Sequence, residues 1–313
     1  MAAPVSGHGH HHHHHDDHGH GHHHHGPPPG GFDRRYVIGI GLNLAFVAVE
    51  FVAGVLAHST ALMADAGHNL SDVLGLALAG GAALLAGRAA SSRRTYGFGK
   101  ATVLAALANA LVLVFASGVI ALEAVQRLWA PQPVASTLVM AVAGIGFVIN
   151  LATALMFMRG RHDDMNVRGA FLHMAADAAV SLGVVVAGLL ILFTGQSWID
   201  PVASLIIVGV ILAGTWGLLR ESLDLALDAA PARIDMQAVQ AALLELPGVT
   251  GAHDVHVWGL STTQTAMTAH LIRAEGADAA FLAEARARMK ARFGVGHLTL
   301  QVEPSAQDHC FNC

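Results

Sequence analysis

"ADAGHNLSD", residues 64–72, sets two aspartates and a histidine inside a run otherwise written in Ala, Leu, Gly and Val. The surrounding stretch, 61–87, exceeds the ~20 apolar residues that a helix needs to cross a hydrocarbon layer ~30 Å thick. A charge at the centre of that layer costs at least about 2.5–3.5 kcal/mol on insertion scales. The island is therefore tolerable only with a compensating partner. His68 and Asp72 stand four apart, one above the other on a single helix face. A second apolar stretch repeats the arrangement: in "FLHMAADAAV", residues 171–180, His173 and Asp177 are again four apart.

Composition places these two stretches in a membrane protein. Of 313 residues, 54% are hydrophobic and only 12% charged, against about a quarter charged in a soluble domain. Six segments reach spanning length: 37–57, 61–87, 102–125, 134–158, 170–193 and 199–219. An even number returns the chain to its starting side. Arg34 and Arg35 precede the first span, and Arg88, Arg93, Arg94 and Lys100 fill the second connection. Arg159, Arg161 and Arg168 lie in the fourth, and Arg220 and Arg233 follow the sixth. The odd-numbered connections contain almost no basic residue apart from Arg127, so the positive-inside rule predicts a multi-pass protein with both termini cytoplasmic; the cell inner (plasma) membrane is its expected location. A net charge of -5 argues against a nucleic-acid partner, which calls for a basic face.

The remaining intramembrane signals are less specific. Ala79-x-x-x-Ala83 and Gly183-x-x-x-Ala187 predict close helix approach in spans two and five. Asp65 shares the side of His68 and either steadies a ligand or faces an aqueous cavity. Asn43 and Asn150 read as interhelical hydrogen bonders, and Glu50 and Glu123 as residues that reach the membrane interface.

Two tails and a soluble unit complete the chain. Residues 1–35 form a tail whose His- and Gly-rich run, 6–31, has no apolar residue to bury, and are expected to be disordered. This tail reads either as a weak, mobile collector of divalent metal or as a solvated linker. The membrane domain is expected over 36–221 and a soluble domain over 222–304. Asp235 can cap a helix with apolar residues at Met236, Val239, Leu243 and Leu246, stopped by Pro247 and Gly248. Strands "HDVHVWGL" and "QTAMTAHLI" follow, then a helix over 277–293 and a third strand, "HLTLQVE". Helix, strand, strand, helix, strand suggests an α+β ferredoxin-like domain beneath six transmembrane helices. The tail 305–313 holds both cysteines, Cys310 and Cys313, as C-x-x-C, so no disulfide staples the body, and a reducing compartment fits.

Set face to face, the two His–Asp pairs supply two imidazole nitrogens and two carboxylate oxygens, the four-coordinate set that suits Zn²⁺. The bland alternative is a pair of His–carboxylate hydrogen bonds joining helices. With all four tetrahedral positions taken by protein, no place is left for a catalytic water, so the set argues for carrying over catalysis. Imidazoles must be neutral to ligate, hence protons and metal compete for the same nitrogens. Expelling a divalent cation from an inside-negative cell costs ~4.6 kcal/mol per 100 mV, and each entering proton returns ~2.3 kcal/mol. Exchange for H⁺ thus drives export without ATP, and the chain has no G-x-x-x-x-G-K-[ST] loop to bind it. An intramembrane zinc hydrolase would show H-E-x-x-H or an open three-ligand site, and a channel would show a ring of carbonyls or carboxylates. Cobalt, nickel, iron or cadmium export on the same scaffold stays open, because ligand type alone does not separate these metals.

"MADAGHNLSD", "YGFGKATVLAALAN" and "RGAFLHMAADAAVSLGVV" together resemble the cation diffusion facilitators, a family of zinc/proton antiporters. The likeness covers everything after the His-rich tail. It implies a homodimer that alternates between inward- and outward-facing states in the bilayer, with His68, Asp72, His173 and Asp177 as transport ligands. A His at the first of these positions is similar to the zinc-preferring subgroup. The resemblance also implies a zinc site in the cytosolic domain, carried over to His253, His270, Glu303 and His297. Strand parity disagrees in part: if Val255 and Val257 face the core, His256 points to the polar face and His253 does not. The terminal "CFNC" is similar to a cysteine pair that helps complete this site in some vesicular members, or else is a frayed tail.

Overall fold

The computed structural model describes residues 34–158 and 165–305. The His-rich run before Arg34, the basic residues Arg159 and Arg161, and Cys310 with Cys313 lie outside them. Six long helices come first: α1 Arg34–Leu56, α2 Thr60–Ala86, α3 Lys100–Trp129, α4 Ser136–Phe157, α5 Met165–Thr194 and α6 Ile199–Ala226. Among the described residues, five are long and apolar enough to cross a membrane, and α1 adds a shorter apolar stretch, Leu44–Leu56. Each expected span is thus a helix, and α6 continues past 219 to Ala226. Phe115, Trp129, Met156 and Phe193 are three-quarters exposed or more, a surface suited to hydrocarbon and costly in water.

Inside the bundle α2 packs against α1, α3, α5 and α6, while α5 also meets α4 and α6. Helix α2 begins with a cap, Leu62 N donating to Ser59 Oγ at 3.1 Å. Asp200, in the first turn of α6, is fully buried and accepts from Thr60 N at 2.6 Å, from Thr60 Oγ1 at 2.8 Å and from Ser59 Oγ. One carboxylate therefore serves the N-termini of two helices, where unpaired N–H groups and the helix dipole both favour negative charge. Ser204 Oγ donates back to Thr60 O at 3.2 Å. This clasp fixes the height of α2 against α6, and so that of His68, about 12 Å further along α2.

At Gly183 the expected close approach is not found. A Cβ on Gly183 would meet nothing within 4 Å, whereas one on Gly75 would lie 2.8 Å from Asn109 Nδ2 of α3 and one on Gly188 2.8 Å from Met140 Cγ of α4. The spacing pattern was present, but packing selects the glycine that faces a neighbour.

The C-terminal unit comprises α7 Met236–Leu244, β1 Val249–Gly259, β2 Thr265–Arg273, α8 Ala279–Phe293 and β3 Val295–Glu303. The sheet order is β1-β2-β3, with β1 antiparallel and β3 parallel to β2. A parallel neighbour needs a crossover, and α8 provides it. Asp235 caps α7 through Gln237 N, and Asp278 caps α8 through Phe281 N. Gly294, at φ 70°, ends α8 in the left-handed region that glycine tolerates. Val239, Leu243, Met267, Leu271, Phe281 and Met289 form the core between helices and sheet. The result is the expected α+β, ferredoxin-like arrangement. Lys100 Nζ, at the start of α3, donates to Leu225 O at 2.9 Å and pairs with Asp228 Oδ1, and Thr262 N donates to Thr102 Oγ1 at 3.2 Å. These contacts tie the unit to the helices.

Removal of the clasp should loosen the bundle. Asp200→Ala strands a buried N–H and two hydroxyls, and is expected to lose on the order of 2–4 kcal/mol. Thermal unfolding in detergent should show a clearly lowered midpoint for Asp200→Ala and a smaller drop for Asp200→Asn, which keeps an acceptor.

Candidate metal sites

The i, i+4 pairs of α2 and α5 face one another across the bundle. His68 Nε2 lies 3.8 Å from Asp72 Oδ2 and 3.2 Å from Asp177 Oδ1, and His173 Nε2 lies 3.4 Å from Asp72 Oδ2 and 3.6 Å from Asp177 Oδ2. Each carboxylate is thus shared by both imidazoles, whose ring centroids are 6.3 Å apart. An ion with N and O bonds of about 2.0–2.2 Å sets tetrahedral ligand atoms about 3.3–3.6 Å apart, close to these four separations. Asp177 is buried, while Asp72 and His173 are each about one-third exposed at 33% and 32%, which leaves a way in on their side. His68, Asp72 and Asp177 each present a ligand atom within 4.8 Å of the others, whereas His173 reaches both carboxylates but is not part of that close group.

Next to this quartet the structure departs from expectation. Glu50 does not reach the interface: it is fully buried, and Asn69 Nδ2 donates to its Oε2 at 3.0 Å. Helix α1 packs on α2, and the turn that holds Glu50 faces the turn of Asn69. Asp65 is also fully buried rather than facing an aqueous cavity, and accepts from Ser181 Oγ of α5 at 2.9 Å. Glu123 pairs with Arg127 one turn on, at 2.5 Å. The side chain of Asn43 lies outside the described residues.

The second cluster is on the sheet. His270 Nδ1 lies 3.2 Å from Glu303 Oε1, and His253 Nε2 lies 3.4 Å from Glu303 Oε2. The conflict over His253 has a structural cause. Strand β1 bulges between His253 and His256, with Asp254 at φ 49°, so His253 pairs with His270 while His256 pairs with Thr268. One extra residue resets the alternation, placing His253 and His256 on the same face while Val257 stays buried. Asp254 joins the group from the bulge, 3.6 Å from His270 Nε2 and 2.8 Å from His256 Nε2. No sequence pattern announced it, because the bulge comes from pairing with β2.

His297 is not brought into this cluster. It pairs with Ala266, four residues from the His270–Gln301 pair, about 13 Å along the strand. Its ring instead stands edge-on to Tyr96, with centroids 5.4 Å apart. Charge around the cluster favours ionised carboxylates. A hydrogen bond from His256 holds Asp254 below the usual carboxylate range, helped by the nearby His270 and His253. Partial desolvation opposes the same effect at Glu303, but hydrogen bonds from Gln301 and His253 outweigh it and its carboxyl too lies below the usual range. Two imidazoles and an ionised carboxylate at these separations are suited to bind a divalent metal such as zinc.

Comparison with known proteins follows the same division of the chain. Residues 36–225 match the cation efflux transmembrane domain, and residues 231–305 match the cytoplasmic domain of cation efflux proteins. The metal cation efflux system protein CzcD of Cupriavidus metallidurans is 36% identical over 277 residues, covering 88% of each chain. The zinc transporter ZitB of Escherichia coli is 34% identical over 274 residues, 86% of this chain and 87% of its own. The cadmium, cobalt and zinc/H(+)-K(+) antiporter of Bacillus subtilis is 32% identical over 272 residues, 84% and 86% of the two chains. With the helical bundle and the α+β unit each matched by its own family model, and relatives aligned through both, the chain belongs to the cation efflux (cation diffusion facilitator) family of membrane transporters.

Proposed function

We propose that this protein exports Zn²⁺ from the cytoplasm in exchange for protons, with His68, Asp72, His173 and Asp177 as the transport ligands. The observation that supports this reading best is the sharing of each carboxylate by both imidazoles. Without a cation, two carboxylates in that setting repel; with one, four ligands close around it. Proton exchange is in keeping with the ligand chemistry, since an imidazole that takes a proton on its ligating nitrogen can no longer hold the metal. The absence of thiolate from the set favours zinc over softer cadmium, although a relative is named for cadmium, cobalt and zinc together.

The membrane domain of 36–221 sits in the inner (plasma) membrane with both termini in the cytoplasm. The domain of 222–304 then hangs beneath it, binds zinc through His253, His270 and Glu303 with Asp254 alongside, and pairs two copies into a homodimer. The match to a family model of the cytoplasmic domain supports this placement.

Two measurements test these assignments. In vesicles holding the purified protein, an inward proton gradient should accelerate zinc transport, and His68→Ala or Asp177→Ala should lower it at least about 100-fold while the protein elutes from size exclusion as before. Equal transport by the variants would sink the site, and a wild-type flux indifferent to the gradient would sink the exchange. For the cytosolic cluster, equilibrium zinc counting on full-length protein should find one ion fewer per chain in His270→Ala, whereas His297→Ala should bind as wild type.

A further inference from the structure

Glu50 of α1 and Asp65 of α2 are both fully buried, and neither belongs to the quartet. One oxygen of each has a donor, Asn69 for Glu50 and Ser181 for Asp65. The other oxygens, Glu50 Oε1 and Asp65 Oδ1, are buried and meet none. Asp65 stands one turn before Asn69 on α2, so its carboxyl lies on the face of α2 that Asn69 turns toward Glu50. Two acceptors that face each other out of water repel, and a single proton between them turns one into a donor.

Among the described residues, the groups around the pair offer no counter-charge at contact distance. His68 of α2 and Asp177 of α5 act on Asp65 through space. Helix α4, packed on α1, has no titratable residue along Ser136–Phe157. The ionisable residues of α3 and α6, Lys100, Glu123, Arg127, Asp200, Arg220, Glu221 and Asp224, lie near helix ends.

We infer that Glu50 and Asp65 form a second cation site in the membrane domain, a carboxylic acid–carboxylate pair that binds and releases one of the protons exchanged for metal. This rests on the exchange reading above. The pair carries one negative charge with its proton and two without. Loss of the proton toward the cytoplasm therefore strengthens the field that draws in a divalent cation, and departure of the metal on the far side favours uptake of a proton there. Metal and proton exclude each other through space, with no ligand in common. Asn69, which holds Glu50, adjoins His68 in the chain, so the pair and the quartet occupy the same two turns of α2.

The experiment reconstitutes the full-length protein in vesicles with Zn²⁺ as the probe. It reads protons moved per zinc, and zinc–zinc exchange at equal pH, which needs the metal site but no net proton movement. Glu50→Gln imitates the protonated acid. It and Asp65→Asn should each retain zinc–zinc exchange within about threefold of wild type and move one proton fewer per zinc, and the double variant should lose no further proton. An unchanged ratio in both single variants overturns the inference. So does parallel loss of both readouts in folded protein, which would make the pair part of the metal path. A ratio that holds while a wild-type dependence on Na⁺ or K⁺ disappears also overturns it, the occupant then being an alkali ion. If the wild type itself moves zinc without protons, the exchange reading falls and takes this inference with it; coupling in the wild type together with coupling in the variants removes the inference alone.

Discussion

Two carboxylates held between two imidazoles inside an apolar bundle constrain almost everything else in this molecule. Asp177 is nearly inaccessible, and Asp72 reaches the same two rings from another helix. In a medium of low dielectric their repulsion is large, so the arrangement persists only where something positive sits among them or a proton is held. The scaffold must then keep α2 and α5 in register closely enough for four side chains to meet. It does so with polar contacts placed away from the quartet. Asp200 pins the start of α2 to α6, Ser181 ties α5 to Asp65, and Asn69 ties α2 to Glu50. Each is a hydrogen bond to a buried carboxyl group, the kind whose loss leaves a buried acceptor without a partner.

Features written within one helical turn could be read directly from the sequence. His68 with Asp72 and His173 with Asp177 needed only the 3.6-residue period and an apolar setting, and the six spans needed only length. The caps at Asp235 and Asp278 are local in the same way. What escaped depends on a partner from elsewhere in the chain. Glu50 lies near a span end in the sequence, yet it points at Asn69 because α1 packs on α2. Asp254 and the placing of His253 follow from a bulge that exists only once β1 pairs with β2. His297 has suitable chemistry and a suitable parity, but the parallel register sets it opposite Ala266, beside Tyr96.

The same limit applies to packing motifs. Small residues four apart are frequent in any Ala- and Gly-rich span, and they mark close approach only where a neighbouring helix lies over them. Gly75 and Gly188 meet that condition and Gly183 does not. Asn109 gains a second role from this crossing, since it stands over Gly75 and also accepts from Ser71 Oγ at 3.4 Å. A polar contact and a close backbone approach thus reinforce one another at the α2–α3 crossing, on the helix that also bears half of the quartet.

The junction between bundle and sheet shows how a metal on one could influence the other. Lys100 opens α3 and is bound to both Leu225 O and Asp228, at the end of α6 and just beyond it. Asp228 has φ 61°, a conformation unusual for a residue with a side chain, which the ion pair helps to hold. Thr102 of α3 meets Thr262 in the loop between β1 and β2, and a Cβ on Gly99 would come within 2.6 Å of Leu260 O. The start of α3 is therefore in direct contact with the loop of the sheet. Any rotation of α3 and α6 during transport must move the sheet as well, or break these contacts.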